Sequence, residues 1–361
     1  MARVLTRREL GRALLARQWL LERTGAATEE AVTGLVGMQA QAPYAPYFGL
    51  WSRLRDFGTA DLADALTGRR LVRIALMRST VHLVTAADYR ALRPWAQPAL
   101  DRELDTAFKK DLAGLDRAAV AESGRALLGA RHLTPKELGA ALRERWPDRE
   151  PRALATVVRN LVPLVQVPPR AVWGAGGTTR YATAAGWTGA EPDAGADAGR
   201  IVLRYLAAFG PASAADLQTW AGRTRLRPVL DELRPRLAVF RDEGGTELFD
   251  LPDAPRPGAD VRAPVRFLPE YDNLLASHAD RTRVISDENR KRIGTRNGMR
   301  AAFLVDGQVA GAWKLRRDTA PATLEIDPFR PLTATERADV EAEGHRLLHF
   351  AAPGTTHDIT W

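Results

Sequence analysis

Apolar positions at helical spacing open the chain. Leu10, Leu14, Leu15 and Leu21 mark one buried face. Thr6 and Glu9 stand at capping-box spacing before them, so each side chain can satisfy the other's free backbone N–H. A second helix is predicted over about 28–36. After a Pro- and Tyr-rich bend, Tyr47, Leu50, Trp51 and Leu54 repeat at the same period, and a short helix follows near 61–66. The period then changes: "LVRIALMRSTVHLV" (71–84) reads as two short strands with a tight reversal at Arg78 and Ser79. Helix, helix, helix, hairpin is the order of a winged helix.

The order recurs. A helix is predicted over 116–129. "HLTPKELGAALRERW" then supplies Thr134 as cap, Pro135 at the first helical position and Glu137 to close the box. "PRALATVVRNLV" is a third helix, and "VQVPPRAVWG" with "TTRYATAAGW" forms a wing. It recurs again with a helix over 198–209, a capped helix in "GPASAADLQTWAG" (Ser213 and Asp216 at box spacing), "RLRPVLDELRPRL", and a hairpin turning on Gly244 and Gly245. Repetition of one supersecondary unit weighs more than any single helix. Beyond a Pro/Gly-rich linker at 254–271 the pattern becomes strand-rich. It has a hairpin on Asp306 and Gly307, a strand in "ATLEIDPF", a helix capped by Thr333 to about 348, and a closing strand in "HDITW". The expected class is α+β: three tandem winged-helix units at 1–110, 111–195 and 196–256 around a DNA-binding channel, and a mixed, β-rich C-terminal domain at 257–361 carrying a basic hairpin.

Composition narrows the chemistry. Among 361 residues there is no cysteine, which excludes disulfides, thiolate nucleophiles and Cys-ligated metal centres. The six histidines are scattered, and no Gly-rich phosphate loop, HExxH or GxSxG occurs, so no metal or cofactor is expected. No apolar run approaches membrane-spanning length, so a cytoplasmic protein without a membrane partner is expected. The net charge is +8, carried almost wholly by arginine. A basic chain of winged helices points to nucleic acid, which such units read with a helix in a groove and a wing on the backbone.

Four segments hold candidate chemistry. "GMQAQAPYAPYFGLWSRL" (37–54) places Gln39 and Gln41 two apart, where an extended segment points both the same way. "RSTVHLVT" puts Arg78, Thr80 and His82 on one strand face by alternation. "LPEYDNLLASHADRTRV" concentrates Glu270, Asp272, Asn273, Ser277 and His278, either lining a cleft or capping a short helix. "SDENRKRIGTRNGMR" is the densest basic run, with Arg290, Lys291, Arg292, Arg296 and Arg300. Gly294 and Gly298 within it suit a hairpin that meets phosphates.

Taken together, the "MQAQ" pair, "MRSTVHLV", "LPEYDNLLASHADR" and the three winged helices resemble the bacterial winged-helix DNA glycosylases of the AlkZ/YcaQ group over essentially the whole chain. The Gln-x-Gln spacing matches the AlkZ-like branch; the YcaQ-like branch carries Asp where Gln41 stands. The resemblance implies a monofunctional glycosylase acting on duplex DNA with N7-alkylated purines, in some members on interstrand crosslinks made by the producer's own alkylating natural product. It implies Gln39 and Gln41 as catalytic. Arg78, His82, Asn273, Arg290, Lys291, Arg292 and Arg296 are the expected DNA contacts. None of the lysines, Lys109, Lys110, Lys136, Lys291 and Lys314, is near the glutamines in sequence, so water is the expected nucleophile. A monomer is expected. The rival reading is a winged-helix DNA binder or transcription regulator without chemistry.

Overall fold

The structure, a computed structural model, describes residues 3–296, 298–317 and 320–361. The first unit follows the predicted order: helices Arg7–Arg17, Thr28–Gly34, Ala45–Trp51 and Thr59–Thr67, then strands Leu71–Ala75 and Val81–Thr85. The Thr6 and Glu9 capping box forms at its start. Leu10, Leu14 and Leu15 are buried as the helical period requires, whereas Leu21 lies past the helix end. The second unit comprises helices Arg117–Ala130, Pro135–Arg143 and Pro151–Leu161 with strands Leu164–Gln166 and Tyr181–Thr183. The third comprises Ala198–Phe209, Ala214–Ala221 and Arg227–Leu233 with the hairpin Ala238–Asp242 and Glu247–Asp250. Gly245, at φ 82°, supplies the left-handed turn of that hairpin.

The wings do not stay within their units. Strands Met38–Gln39, Val81–Thr85, Leu71–Ala75, Leu164–Gln166 and Tyr181–Thr183 form one sheet in that order, so the first and second wings are continuous. The N-terminal Val4–Leu5 pairs in parallel with Ala238–Asp242 of the third unit. In the C-terminal region, His357–Thr360, Ala322–Pro328, Gln308–Arg316, Ala301–Val305 and Arg266–Leu268 form a sheet covered by helix Ala334–Ala351. Its tightest hairpin turns on Asp306 (φ 46°) and Gly307 (φ 79°), the two positive angles that an Asp-Gly turn provides. No helix among the described residues is long and apolar enough to cross a membrane.

One core runs through all four of these regions, taking in Val165 and Ala182 of the second unit's wing. Leu14, Ile74 and Trp95 meet Tyr205, Phe209 and Trp220 of the third unit and Leu274 and Leu304 of the C-terminal region. The helices of the second unit have a further core of their own, built on Val120, Leu138, Leu154 and Val158. Where the regions join, arginines bridge them. Arg17 forms a two-point pair with Asp250, and Arg53 with Asp272, at 2.6–2.9 Å with all four side chains almost fully buried. The second pair fixes the segment that carries Asn273 beside the glutamine motif.

Candidate active site

The two-residue strand Met38–Gln39 begins after Val36 and Gly37, whose φ values are 53° and 86°. Gly37 is required twice: by that angle, and because a Cβ would lie 2.7 Å from the Val84 side chain. The strand pairs antiparallel with Val81–Thr85, placing Met38 opposite Leu83 and Gln39 opposite His82. So short a strand has little cohesion from its ladder, and side chains complete it. On its outer edge Asn273 donates from Nδ2 to the Gly37 carbonyl (2.6 Å) and accepts at Oδ1 from the Gln39 N–H (3.2 Å), as a neighbouring strand would. On the inner edge Ala40 N–H donates to the Val81 carbonyl (2.8 Å), but the Ala40 carbonyl accepts from Arg73 Nη2 (2.8 Å). The Val81 N–H is taken instead by Gln41 Oε1 (3.3 Å).

The reversal between the two longer strands faces the motif. Arg78 and Ser79 both adopt left-handed φ, 56° and 57°. Arg78 donates through Nη2 to Gln39 Oε1 (3.2 Å) and through Nη1 to the Trp220 carbonyl of the third unit. Gly222 lets that unit close in, since a Cβ there would stand 2.9 Å from the Arg78 backbone. The Ser79 hydroxyl donates to Glu103, which also accepts from Asn160 Nδ2 (2.9 Å) and Arg159 Nη1 (3.1 Å), while Arg159 Nη2 holds the Ser79 carbonyl (2.6 Å). Helices of all three units thus grip the loop that touches Gln39.

The electrostatics follow from burial. His82 is 2% exposed; desolvation, with a smaller contribution from the Arg78 charge, pushes its pKa down to about 3. It is neutral near pH 7, with Nδ1–H donating to the Thr80 carbonyl (3.0 Å). Burial, then the proximity of Arg281, brings Arg78 down to about 10, so it remains a cation. Burial, then Arg170, does the same to Arg73, whose Nε and Nη1 have no partner among the described residues. Gln39 is 8% exposed, whereas Gln41 is open to solvent. Neither amide can take a proton at neutral pH, but each carbonyl oxygen keeps a lone pair that can orient a water or face positive charge.

The expected residues therefore divide. Arg78, His82 and Asn273 converge on Gln39. Arg78 reaches it from a left-handed turn, not from the strand alternation that sequence suggests, because the extended conformation ends at Thr80. Asp272 accepts from the Leu274 N–H as a cap, and Ser277 and His278 are buried, bonded to each other and to the Phe209 carbonyl. The basic run is a hairpin only in part. Asp287–Ile293 is a helix, capped by Ser286, with acidic residues in its first turn and Arg290, Lys291 and Arg292 in its last, the arrangement that the helix dipole favours. The hairpin is Gly294–Thr295 with Gly298–Met299 and leaves Arg296 exposed at its turn. Arg290 pairs with Asp287 (3.3 Å), and Arg292 lies on the Phe329 ring and carbonyl, 4.2 Å from the ring centroid. Sequence reasoning missed Arg73 and the pair Glu103 and Arg159. The one available signal for Arg73 was a charge in the middle of an apolar strand.

Comparisons with known proteins identify the family and the fold. A sequence-family model described as DNA glycosylase AlkZ-like matches residues 32–350. Among solved structures, the Streptomyces sahachiroi DNA glycosylase AlkZ superposes with a TM-score of 0.81 over 99% of each chain, at 19% sequence identity. A search of curated protein sequences finds no match.

Proposed function

The chain belongs to the AlkZ-like DNA glycosylase family, and from that premise we propose that it hydrolyses the N-glycosidic bond of N7-alkylated purines in duplex DNA, with Gln39 and Gln41 as its catalytic residues. The observation that carries this reading is the fixation of the motif. Asn273, Arg73, Arg78 and the Val81 N–H hold the segment from both edges, so two neutral amides stand at defined positions. Pre-organised dipoles of that kind need no reorganisation during reaction.

Neutral amides suit this substrate class. An N7-alkylguanine is already cationic and departs as a neutral base, so the leaving group needs no general acid. The remaining tasks are to place a water beneath C1′ and to stabilise the oxocarbenium-like sugar. A carbonyl oxygen can do both, and the amide's weak basicity confines the enzyme to good leaving groups. Water as nucleophile means release of base without strand cleavage. A lesion tied to both strands cannot be flipped out as a free base can. Gln41, open to solvent beside the buried Gln39, extends the proposal to bulky adducts and interstrand crosslinks, and so to self-resistance against an alkylating natural product. The proposed working form is a monomer on DNA.

The test is a duplex with one N7-methylguanine, incubated with the wild-type protein, Gln39→Ala and Gln41→Ala, then treated with hot alkali to reveal abasic sites. The expected result is scission above the spontaneous rate, with each variant slower by about 10²-fold, on the scale of losing one transition-state contact, and duplex affinity retained. Equal scission by wild type and variants would remove the glutamines from the chemistry. The same assay on a crosslinked duplex tests the wider substrate range.

A further inference from the structure

We propose that Arg78 is a latch on Gln39: in the DNA-free protein its guanidinium holds the Gln39 carbonyl oxygen, and a phosphodiester of the bound strand draws it away, freeing that oxygen for the attacking water. The inference rests on the reading of Gln39 as a catalytic amide.

The geometry that points to it is the mismatch between the charge of Arg78 and its partners. Both of its recorded hydrogen bonds go to neutral oxygens, Gln39 Oε1 at 3.2 Å and the Trp220 carbonyl. No carboxylate among the described residues pairs with it. Glu103, the carboxylate bonded to the neighbouring Ser79, is already engaged by Ser79, Asn160 and Arg159. Arginines in this chain otherwise find carboxylates readily, as Arg17, Arg53 and Arg204 do, so a half-buried guanidinium on neutral acceptors is under-compensated. Its surroundings are also cationic. Arg281 is close enough to lower its proton affinity, and Arg102, on helix Asp88–Thr106, donates to the carbonyl (3.0 Å) of Gly222, the glycine packed on Arg78. Arg281 and Arg102 have no carboxylate partner among the described residues either, and their own bonds go to backbone carbonyls. An anion arriving here meets several uncommitted guanidinium charges.

The bond from the guanidinium to the amide oxygen is ionised on one side only, whereas a phosphodiester oxygen brings a full negative charge and a two-point, ion-paired geometry, so a phosphodiester outcompetes the amide for the guanidinium. The exchange has a catalytic sense. While Arg78 holds Gln39, one lone pair of the amide oxygen is occupied and a full positive charge lies against the group meant to face a developing sugar cation. Moving the charge to a phosphate removes both handicaps, and only when the strand is in place. Arg78 is thus a positioning residue whose act is to let go.

The test pairs a protein change with a substrate change. Single-turnover base release is measured at saturating enzyme on N7-methylguanine duplexes, each carrying one neutral methylphosphonate at a different phosphate flanking the lesion, with wild type and Arg78→Met. The expected result is one position at which the neutral linkage slows wild type by on the order of tenfold, the worth of one hydrogen bond to a charged group, but adds nothing in Arg78→Met. That variant should also lose about one unit of the salt slope of duplex binding. If the linkage slows both proteins equally at every position, Arg78 does not exchange onto a phosphate and the latch is overturned. If wild type releases no base from the unmodified-phosphate duplex, the reading of Gln39 falls and the latch with it. Should Arg78→Met fail to fold, Arg78→Lys serves. A single ammonium can follow the phosphate without holding both original acceptors, so it must keep the salt slope and the methylphosphonate response. Loss of that response while the salt slope persists overturns the proposal.

Discussion

At the scale of single residues, the site is built from groups whose usual chemistry burial has altered. His82 is the clearest. Its imidazole titrates near 6.5 in an unfolded chain and near 3 in the fold, so between these values the unfolded state binds the extra proton. Stability is therefore complete above about pH 6.5 and is lost as pH falls toward 3, by about 2 kcal/mol at pH 5 for this one group. His278, buried beside Ser277 and pushed to about 3 chiefly by desolvation, adds in the same direction. Urea unfolding at pH 8 and pH 5 checks this: the wild type should lose more than His82→Leu across that interval, and equal losses would mean that His82 is hydrated in the fold. This scale was also the least legible from sequence. Gln39 and Gln41 stood out because two amides suit neither a core nor a surface loop. Arg73 did not, because an arginine in a strand ordinarily faces water, and nothing local announces that it turns inward to the Ala40 carbonyl.

At the scale of elements, capping residues made the helices legible, and tertiary contacts account for what escaped. The boxes at Thr6, Thr134, Ser213 and Thr333 all form. The helix Asp88–Thr106 is absent from the predicted elements because Pro94 and Pro98 interrupt its pattern. It survives because the carbonyl that Pro94 leaves free, that of Arg90, accepts from the Asp193 N–H (3.1 Å) of a distant loop. The strand Met38–Gln39 depends on a distant partner in the same way, and this gives a sharp expectation for Asn273. If its amide acts as a surrogate strand, Asn273→Ala frees the Gly37 carbonyl and the Gln39 N–H, lowering stability by about 1–3 kcal/mol. Base release should slow while duplex affinity holds. A weaker duplex complex with an unchanged release rate at saturation would instead return Asn273 to the role of a DNA contact that its sequence suggested. Asn273→Asp keeps the acceptor for Gln39 and loses the donor for Gly37, so it should fall between the two.

At the scale of the whole molecule, the units visible as repeats in the sequence are not units of stability. The sheet through Leu71–Ala75 and Leu164–Gln166 ties the first to the second, Val4–Leu5 ties the N-terminus to the third, and the shared core joins Trp95 to Tyr205, Leu274 and Leu304. Buried Arg17 and Asp250 close the ring, and removing one partner of such a pair strands a charge, at about 3–5 kcal/mol. Asp250→Asn, at the end of the third unit's hairpin, should therefore lower the melting temperature of the whole protein and not of one unit. Calorimetry decides the matter, since a single cooperative transition makes the van't Hoff and calorimetric enthalpies agree. The one part able to depart from this is the helical portion of the second unit, which has its own core on Val120, Leu138 and Leu154. A split transition should begin there, and it would carry a functional mark. The second unit supplies Arg159, which holds the Ser79 carbonyl beside Arg78. Independent melting of that unit would loosen the loop facing Gln39, so base release should then decline at the lower transition, before the rest of the fold is lost. One transition with activity falling along it would mean instead that the site is rigid and meets bulky lesions through the exposed Gln41 without local opening.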